Sequence, residues 1–231
     1  MNAPACPVCR SARTHVFRAP DGTTPAAPAR RAAPQPGADG DYWRCADCAA
    51  TFLDPALRPD PAAEHAYYCL HDNRTDDPGY RAFLSRLVAP LLGRLPPQSA
   101  GLDYGCGPGP ALAAMLGEHG HRVALFDPFF APDTAPLSRR YDFVTCSETA
   151  EHFHAPASEF DRLGALLRPG GWLAVMTCFQ TEDARFARWQ YRMDPTHVVF
   201  YRQATLAHVA RSRGWRFESP CKDVALMQVP A

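Results

Sequence analysis

A chain of 231 residues, 46% of them hydrophobic, has room for one ordinary domain with a real core plus a small module. Its 24 basic and 24 acidic side chains cancel, whereas a protein that grips nucleic acid through phosphates usually shows a basic excess. No stretch reaches the roughly 20 apolar residues that cross a bilayer and residues 1–10 carry no apolar run of a secretory signal, so a cytoplasmic protein is expected, its nine cysteines thiols or metal ligands rather than disulfides.

Taken in chain order, residues 1–56 form the first unit. Cys6-x-x-Cys9 and Cys45-x-x-Cys48 make two hooks with 35 residues between them, and four thiolates so arranged suit a tetrahedral zinc ribbon. The plainer alternative is two unrelated or redox thiol pairs. A closed four-cysteine site leaves no open position for chemistry, which points to a structural zinc, with a grip on substrate as the other option. Between the hooks, residues 19–40 carry Pro20, Pro25, Pro28, Pro34 and Pro36; such a stretch is neither helix nor central strand and is expected to be a flexible loop.

Residues 57–98 read as a linker followed by helix. Positions 57–78 are polar and irregular. From Pro78, the residues Tyr80, Phe83, Leu84, Leu87, Val88, Leu91 and Leu92 recur at three- and four-residue steps on one face, with Pro90 expected to bend or end the helix. Residues 99–231 then alternate between short apolar runs and helical stretches closed by Gly or Pro-Gly-Gly. The alternation predicts a doubly wound, mostly parallel α/β sheet of Rossmann-like type.

The sharpest motif is Leu102-Asp103-Tyr104-Gly105-Cys106-Gly107-Pro108-Gly109, placed after a strand and before a helix. Glycines at such a turn take positive φ and let backbone amides approach a ligand. Asp127 follows Gly107 by twenty residues at the end of the next strand, where a carboxylate can accept both hydroxyls of a ribose. The bland reading is a tight strand-to-helix connection without a ligand. The spacing differs from Gly-x-Gly-x-x-Gly, and the Lys-Ser/Thr of a phosphate loop is missing.

These residues, followed by "ALFD", "YDFVTCSETAEHF" and "LLRPGGWLAVMT", resemble class I S-adenosylmethionine-dependent methyltransferases over roughly residues 80–231. The resemblance implies that Asp103 and the segment Tyr104, Gly105, Cys106, Gly107 and Gly109 hold the amino-acid end of S-adenosyl-L-methionine. It further implies that Asp127 binds the ribose, that Phe126 or Phe129 lines the adenine, and that Ser147 adjoins the cofactor. One departure stands out: only thirteen residues, with Pro128, Pro132 and Pro136 among them, separate Asp127 from Tyr141. The family's third strand and preceding helix are therefore expected to be shortened or absent, leaving six strands rather than seven.

Beyond the strand ending at Ser147, Glu148, Glu151 and His152 stand at i, i+3 and i+4, so a helical turn would put them on one face. Two carboxylates and an imidazole can hold a divalent cation such as Mg2+ or Zn2+. With His197 the pattern resembles metal-assisted O-methyltransferases, those of ubiquinone biosynthesis and those that cap small RNAs. In them the cation polarises the acceptor oxygen, and His152 or His197 serves proton transfer. The alternative is a metal-free pocket in which Glu caps a helix and His lies on the substrate floor. His154 is expected to point elsewhere. The aromatics of residues 180–201 are open between substrate cover and local core, with "YYCLHDNRTDDPGY" as the other side of the cover.

Three functions compete. The first is methyl transfer to an oxygen of a small-molecule acceptor, without membrane or nucleic acid. The second is modification of RNA or protein, with the ribbon as recognition module. The third is a non-catalytic zinc-binding adaptor.

Overall fold

The computed structural model describes residues 3–18, 41–70 and 74–231; the Pro-rich loop expected at 19–40 lies outside them. The N-terminal unit is an antiparallel hairpin system of β1 (Thr14–Val16), β2 (Tyr42–Cys45) and β3 (Thr51–Leu53). Its two hooks share one backbone pattern. Cys6 N donates to Ser11 O and Cys45 N to Ala50 O, at 2.8 and 2.9 Å, while Arg10 N and Ala49 N return to the Cys6 and Cys45 carbonyls.

Two helices follow, α1 (Pro61–Tyr68) and α2 (Pro78–Leu92). The first corrects the irregular reading of 57–78. It starts on Asp60, whose Oδ1 accepts from Ala63 N at 2.8 Å, with Pro61 in its first turn. Glu64 is its one buried residue, so there is no apolar stripe for periodicity to detect. Helix α2 runs two residues past Pro90, because a proline so close to a helix end deletes little of the hydrogen-bond ladder.

The main sheet contains β4 (Ala100–Tyr104), β5 (Arg122–Phe126), β6 (Tyr141–Ser147), β7 (Leu167–Met176), β9 (Arg216–Glu218) and β10 (Val224–Gln228), in the order β5-β4-β6-β7-β10-β9. The first four strands are parallel, and β10 runs antiparallel to both its neighbours, β7 and β9. Alternate residues of each strand face opposite layers. Phe143, Trp172, Ala174, Met176, Val224 and Leu226 pack with α2 and α3 (Ala111–Glu118). Val144, Leu173, Val175, Ala225 and Met227 share the other core with α4 (Pro156–Ala165) and α6 (Gln203–Ser212). This is the predicted doubly wound sheet with six strands. Between β5 and β6 there is only a bridge from Asp127 to Ala131 and a 3-10 turn at Ala135–Ser138, as the proline density demands.

The segment between β7 and α6 carries a short helix, α5 (Gln190–Met193), and a two-residue strand, β8 (Val199–Phe200). Strand β8 does not join the main sheet. It pairs with β3 as the fourth strand of the N-terminal sheet, Phe52 opposite Val199 and Thr51 opposite Phe200. Phe186 meets Phe17, Tyr42 and Phe200 edge-on at centroid distances of 5.0–5.1 Å, a favourable geometry for aromatic pairs. Ala157 N, in α4, donates to Pro7 O in the first hook at 2.9 Å. The hooks and one face of the main sheet therefore share a single core. No helix among the described residues is long and apolar enough to cross a membrane.

Candidate active site

A cavity of ≈ 1000 Å³ opens beyond the carboxyl ends of β4, β5 and β6, where open α/β sheets place their ligands. Its floor begins at the glycine turn. Gly105 has φ +79° and Gly107 φ +64°, and a Cβ at Gly105 would lie 2.3 Å from Thr149 Cγ2, so no side chain fits there. Gly105 N donates to Phe126 O at 2.8 Å and ties the turn to the end of β5.

Asp127 closes this arrangement. Its Oδ2 accepts from Gly107 N at 3.0 Å, and its Oδ1 from Phe129 N and Phe130 N at 2.8 and 3.0 Å. A carboxylate offers about four acceptor sites. Three are filled by the chain's own amides, so gripping two hydroxyls requires one amide to turn away. Tyr104, Cys106, Phe126, Phe129 and Ser147 also line the cavity. The Ser147 hydroxyl is buried without a hydrogen-bond partner among the described residues. Burial, reinforced by the charges of Asp103 and Asp127, pushes the Cys106 thiol up to about 12, which leaves it unreactive.

Asp103 and Gly109 stand off the wall. The Asp103 carboxyl is buried behind the turn and accepts from Thr145 Oγ1 at 2.8 Å. Burial raises its pKa to about 6, against the Thr145 bond and with help from Asp127. Asp103 thus ties the end of β4 to β6.

The cavity is also lined by Glu148, Glu151, His152 and His197. The expected helical face does not form. Glu148 follows the end of β6 with φ +46°, and the turn after it is a 3-10 segment, Ala150–His152. Glu148 is left outside the close group, in which ligand atoms of Glu151, His152 and His197 lie within 4.8 Å of one another. Burial, then the charge of Glu151, raises Glu148 to about 9.

The three convergent groups share one electrostatic problem. Glu151 is fully buried, and neither carboxylate oxygen has a hydrogen-bond partner among the described residues. His152 Nδ1 faces Thr196 O at 3.1 Å and His197 Nδ1 faces Tyr191 O at 2.6 Å. A carbonyl only accepts, so each Nδ1 carries the proton and each Nε2 points a lone pair inward. The Nε2 atoms lie 3.8 and 3.9 Å from Glu151 Oε1, too far for hydrogen bonds. Burial and the neighbouring His152 hold His197 below its usual pKa, keeping its ring neutral. One carboxylate and two imidazole lone pairs converge there, with the Tyr191 hydroxyl as the neighbouring donor, and such a group matches a cation site whose histidines are oriented by outer carbonyls.

The cover comes from two segments. Tyr191, Met193, Asp194 and His197 line the cavity, whereas Phe186, Phe200 and Tyr201 are buried as core. Helix α1 supplies Tyr67 and Tyr68, the start of the segment expected to form the other side of the cover, and Glu64, which sequence reading missed along with the helix. Tyr68 packs edge-on to His152 at 5.1 Å, and His65 stacks on Phe129 at 5.1 Å. His154 is paired with Glu64 at 2.8 Å.

Away from the cavity, Cys6, Cys9, Cys45 and Cys48 bring their sulfurs within 4.8 Å of one another, with Cys6–Cys48 at 3.6 Å and Cys9–Cys45 at 3.5 Å. The Cys6 thiol, bonded by Cys48, is lowered to about 6, while burial lifts Cys9 to about 12. Four sulfurs this close together could hold a metal ion.

A parallel sheet with its cavity over the first glycine turn is the architecture of nucleotide-dependent α/β enzymes. A family model described as "Methyltransferase domain" matches residues 77–219, more than half of the chain; the chain belongs to this family of methyltransferase domains. It is 35% identical over 85 residues to a ubiquinone biosynthesis O-methyltransferase of Nitrosomonas europaea, a match covering 33% of this chain and 36% of that protein. The chain thus spans about a third of the curated relative it matches. The fold is shared with the 1,6-didemethyltoxoflavin-N1-methyltransferase of Burkholderia thailandensis, a structure holding 1,6-didemethyltoxoflavin and S-adenosylhomocysteine. There the TM-score is 0.51 at 20% identity, over 80% of this chain and 98% of that one. CalO1, a methyltransferase in calicheamicin biosynthesis with S-adenosylhomocysteine bound, aligns at TM-score 0.46 and 17% identity, over 66% of this chain and 55% of that one.

Proposed function

We propose that the chain transfers the methyl group of S-adenosylmethionine to an oxygen of a small-molecule acceptor, with a divalent cation held by Glu151, His152 and His197 and a structural zinc in the four-cysteine ribbon. The observation that carries the acceptor chemistry is the convergence of the buried Glu151 carboxylate with two imidazole Nε2 atoms, in a group that could hold a metal ion. A buried anion is costly, and a cation among these donors removes the cost. The cofactor reading rests on the family, on the Gly105 cradle and on the unpartnered Ser147 hydroxyl at the wall.

When bound, S-adenosylmethionine supplies an electrophilic methyl on a sulfonium, and the cation eases deprotonation of a hydroxyl beside it. The chain does the rest. The turn amides and Asp127 hold the adenosine end, and one Asp127 amide contact yields to a ribose hydroxyl. Tyr68 and Tyr191 close the acceptor end against water. The Nδ1–H bonds to Thr196 and Tyr191 keep both Nε2 atoms bare, available to a cation or a departing proton.

The cavity favours a small acceptor over RNA. Glu64, Asp127, Glu151, Glu159 and Asp194 line it, against the single guanidinium of Arg162, a field that repels a phosphodiester. On the ribbon, Arg10 is paired with Asp161 at 2.8 Å and Arg44 with Asp183 at 2.6 Å. The test is transfer of labelled methyl from S-adenosylmethionine into metabolite and RNA fractions, with and without Mg2+ after chelation. Label in small hydroxylated compounds that depends on the cation supports the reading. Label in RNA, or none accompanied by no calorimetric uptake of S-adenosylhomocysteine, overturns it.

A further inference from the structure

We propose that the cysteine ribbon is the positioning element of the Glu151–His152–His197 cluster and acts through the backbone of Val198; the inference rests on reading that cluster as the reactive group in the cavity. Val198 follows His197 and is fully buried. Its N–H donates to Glu151 O, and its carbonyl accepts from Leu53 N, the last residue of β3, both at 2.9 Å. One peptide of the chain is therefore clamped between the ribbon and the carboxylate residue.

The next residues extend the clamp. Val199 and Phe200 pair with Phe52 and Thr51, and the Tyr201 hydroxyl donates to Ala150 O at 2.9 Å, one residue before Glu151. A two-residue strand has no stability of its own. Strand β8 exists because β3 offers it an edge, and β3 is a three-residue strand whose partner β2 ends at Cys45. A metal among the four thiols would close the hairpin that holds these short strands. The chain of cause runs from the four thiols through β2 and β3 to Val198, and from there to the aim of His197 and Glu151. The main sheet provides no substitute, since β8 is not part of it.

Leu53→Pro tests this in the full-length, zinc-loaded protein, because proline removes the N–H that holds Val198 O; Leu53→Ala trims the side chain and keeps that N–H. Two readouts follow: imidazole 15N NMR of His152 and His197, which reports the tautomer without any metal at the cluster, and Mn2+ titration. Leu53→Pro is expected to mix the tautomers and weaken Mn2+ binding about 10- to 100-fold, the usual effect of losing an outer support, while calorimetric uptake of S-adenosylhomocysteine persists. Leu53→Ala should keep the wild-type tautomers. Tyr201→Phe, which preserves shape and removes one pin, should move the His152 signals in the same direction as Leu53→Pro. Tautomer signals that are unchanged in Leu53→Pro and in Tyr201→Phe, or equally changed in Leu53→Ala, overturn the proposal. Wild-type protein that takes up no Mn2+ would remove the cation reading alone and leave the tautomer comparison to decide the role of the ribbon.

Discussion

The two groups of residues that line the cavity are built on opposite terms. At the glycine turn, residues 103–109 are contiguous, and the facing carboxylate of Asp127 is already satisfied by three amides of the chain. In the other group, Glu151 and His197 are 46 positions apart in the chain, and the buried carboxylate faces two bare imidazole nitrogens. A self-satisfied turn is preformed and stable without a ligand. A buried carboxylate facing lone pairs costs stability until something binds, which is how folded proteins store the makings of a reactive site.

Glu151→Gln should break this contrast most sharply. Its turnover should fall about 10²- to 10⁴-fold, measured by single-turnover methyl transfer. The chelated protein should melt a few degrees higher in calorimetry, because relieving a buried carboxylate is worth about 1–3 kcal/mol. A variant that retains its rate would show the cluster to be passive.

Asp103→Asn sharpens the other side. Burial raises the native pKa of Asp103 from 3.8 to about 6, so the folded state holds a proton that the unfolded state releases. Its contribution is fully present below 3.8 and is lost as pH climbs through 6, by up to roughly 3 kcal/mol. Urea midpoints of wild type minus variant should therefore decline between about pH 4 and pH 7, and a flat difference would mean that Asp103 ionises freely.

Asp127→Asn should weaken S-adenosylhomocysteine binding roughly 10- to 100-fold, the equivalent of a charged hydrogen bond, in isothermal titration. Gly105→Ala should lower stability by about 1–3 kcal/mol, the cost of an alanine at positive φ, read as a lower denaturation midpoint. Equal stability there would mean that Thr149 moves aside and the turn is softer than its geometry implies.

Much of this was legible in the chain. "AGLDYG", "HRVALFD" and "YDFVTCS" are apolar runs bounded by turn residues, and they became β4, β5 and β6. Prolines 128, 132 and 136 announced the missing strand. Helix α1 escaped because it buries only Glu64, leaving no apolar period to count. Glu148 was grouped with Glu151 on the assumption of a helical turn, which its φ of +46° forbids. Strand β8 is two residues long and owes its existence to β3, a partner nearly 150 positions earlier.

The order of elements, the glycine turn, the acid after it and the two cysteine hooks were properties of the sequence alone, because each rests on local backbone preference or on residues close along the chain. Tertiary structure alone decided that Asp103 ties β4 to β6, that the ribbon sheet ends in β8, and that two imidazoles turn their bare nitrogens toward one buried carboxylate. Those outcomes depend on which carbonyl meets which ring after distant segments pack, and packing is set by the whole core rather than by any one stretch of residues.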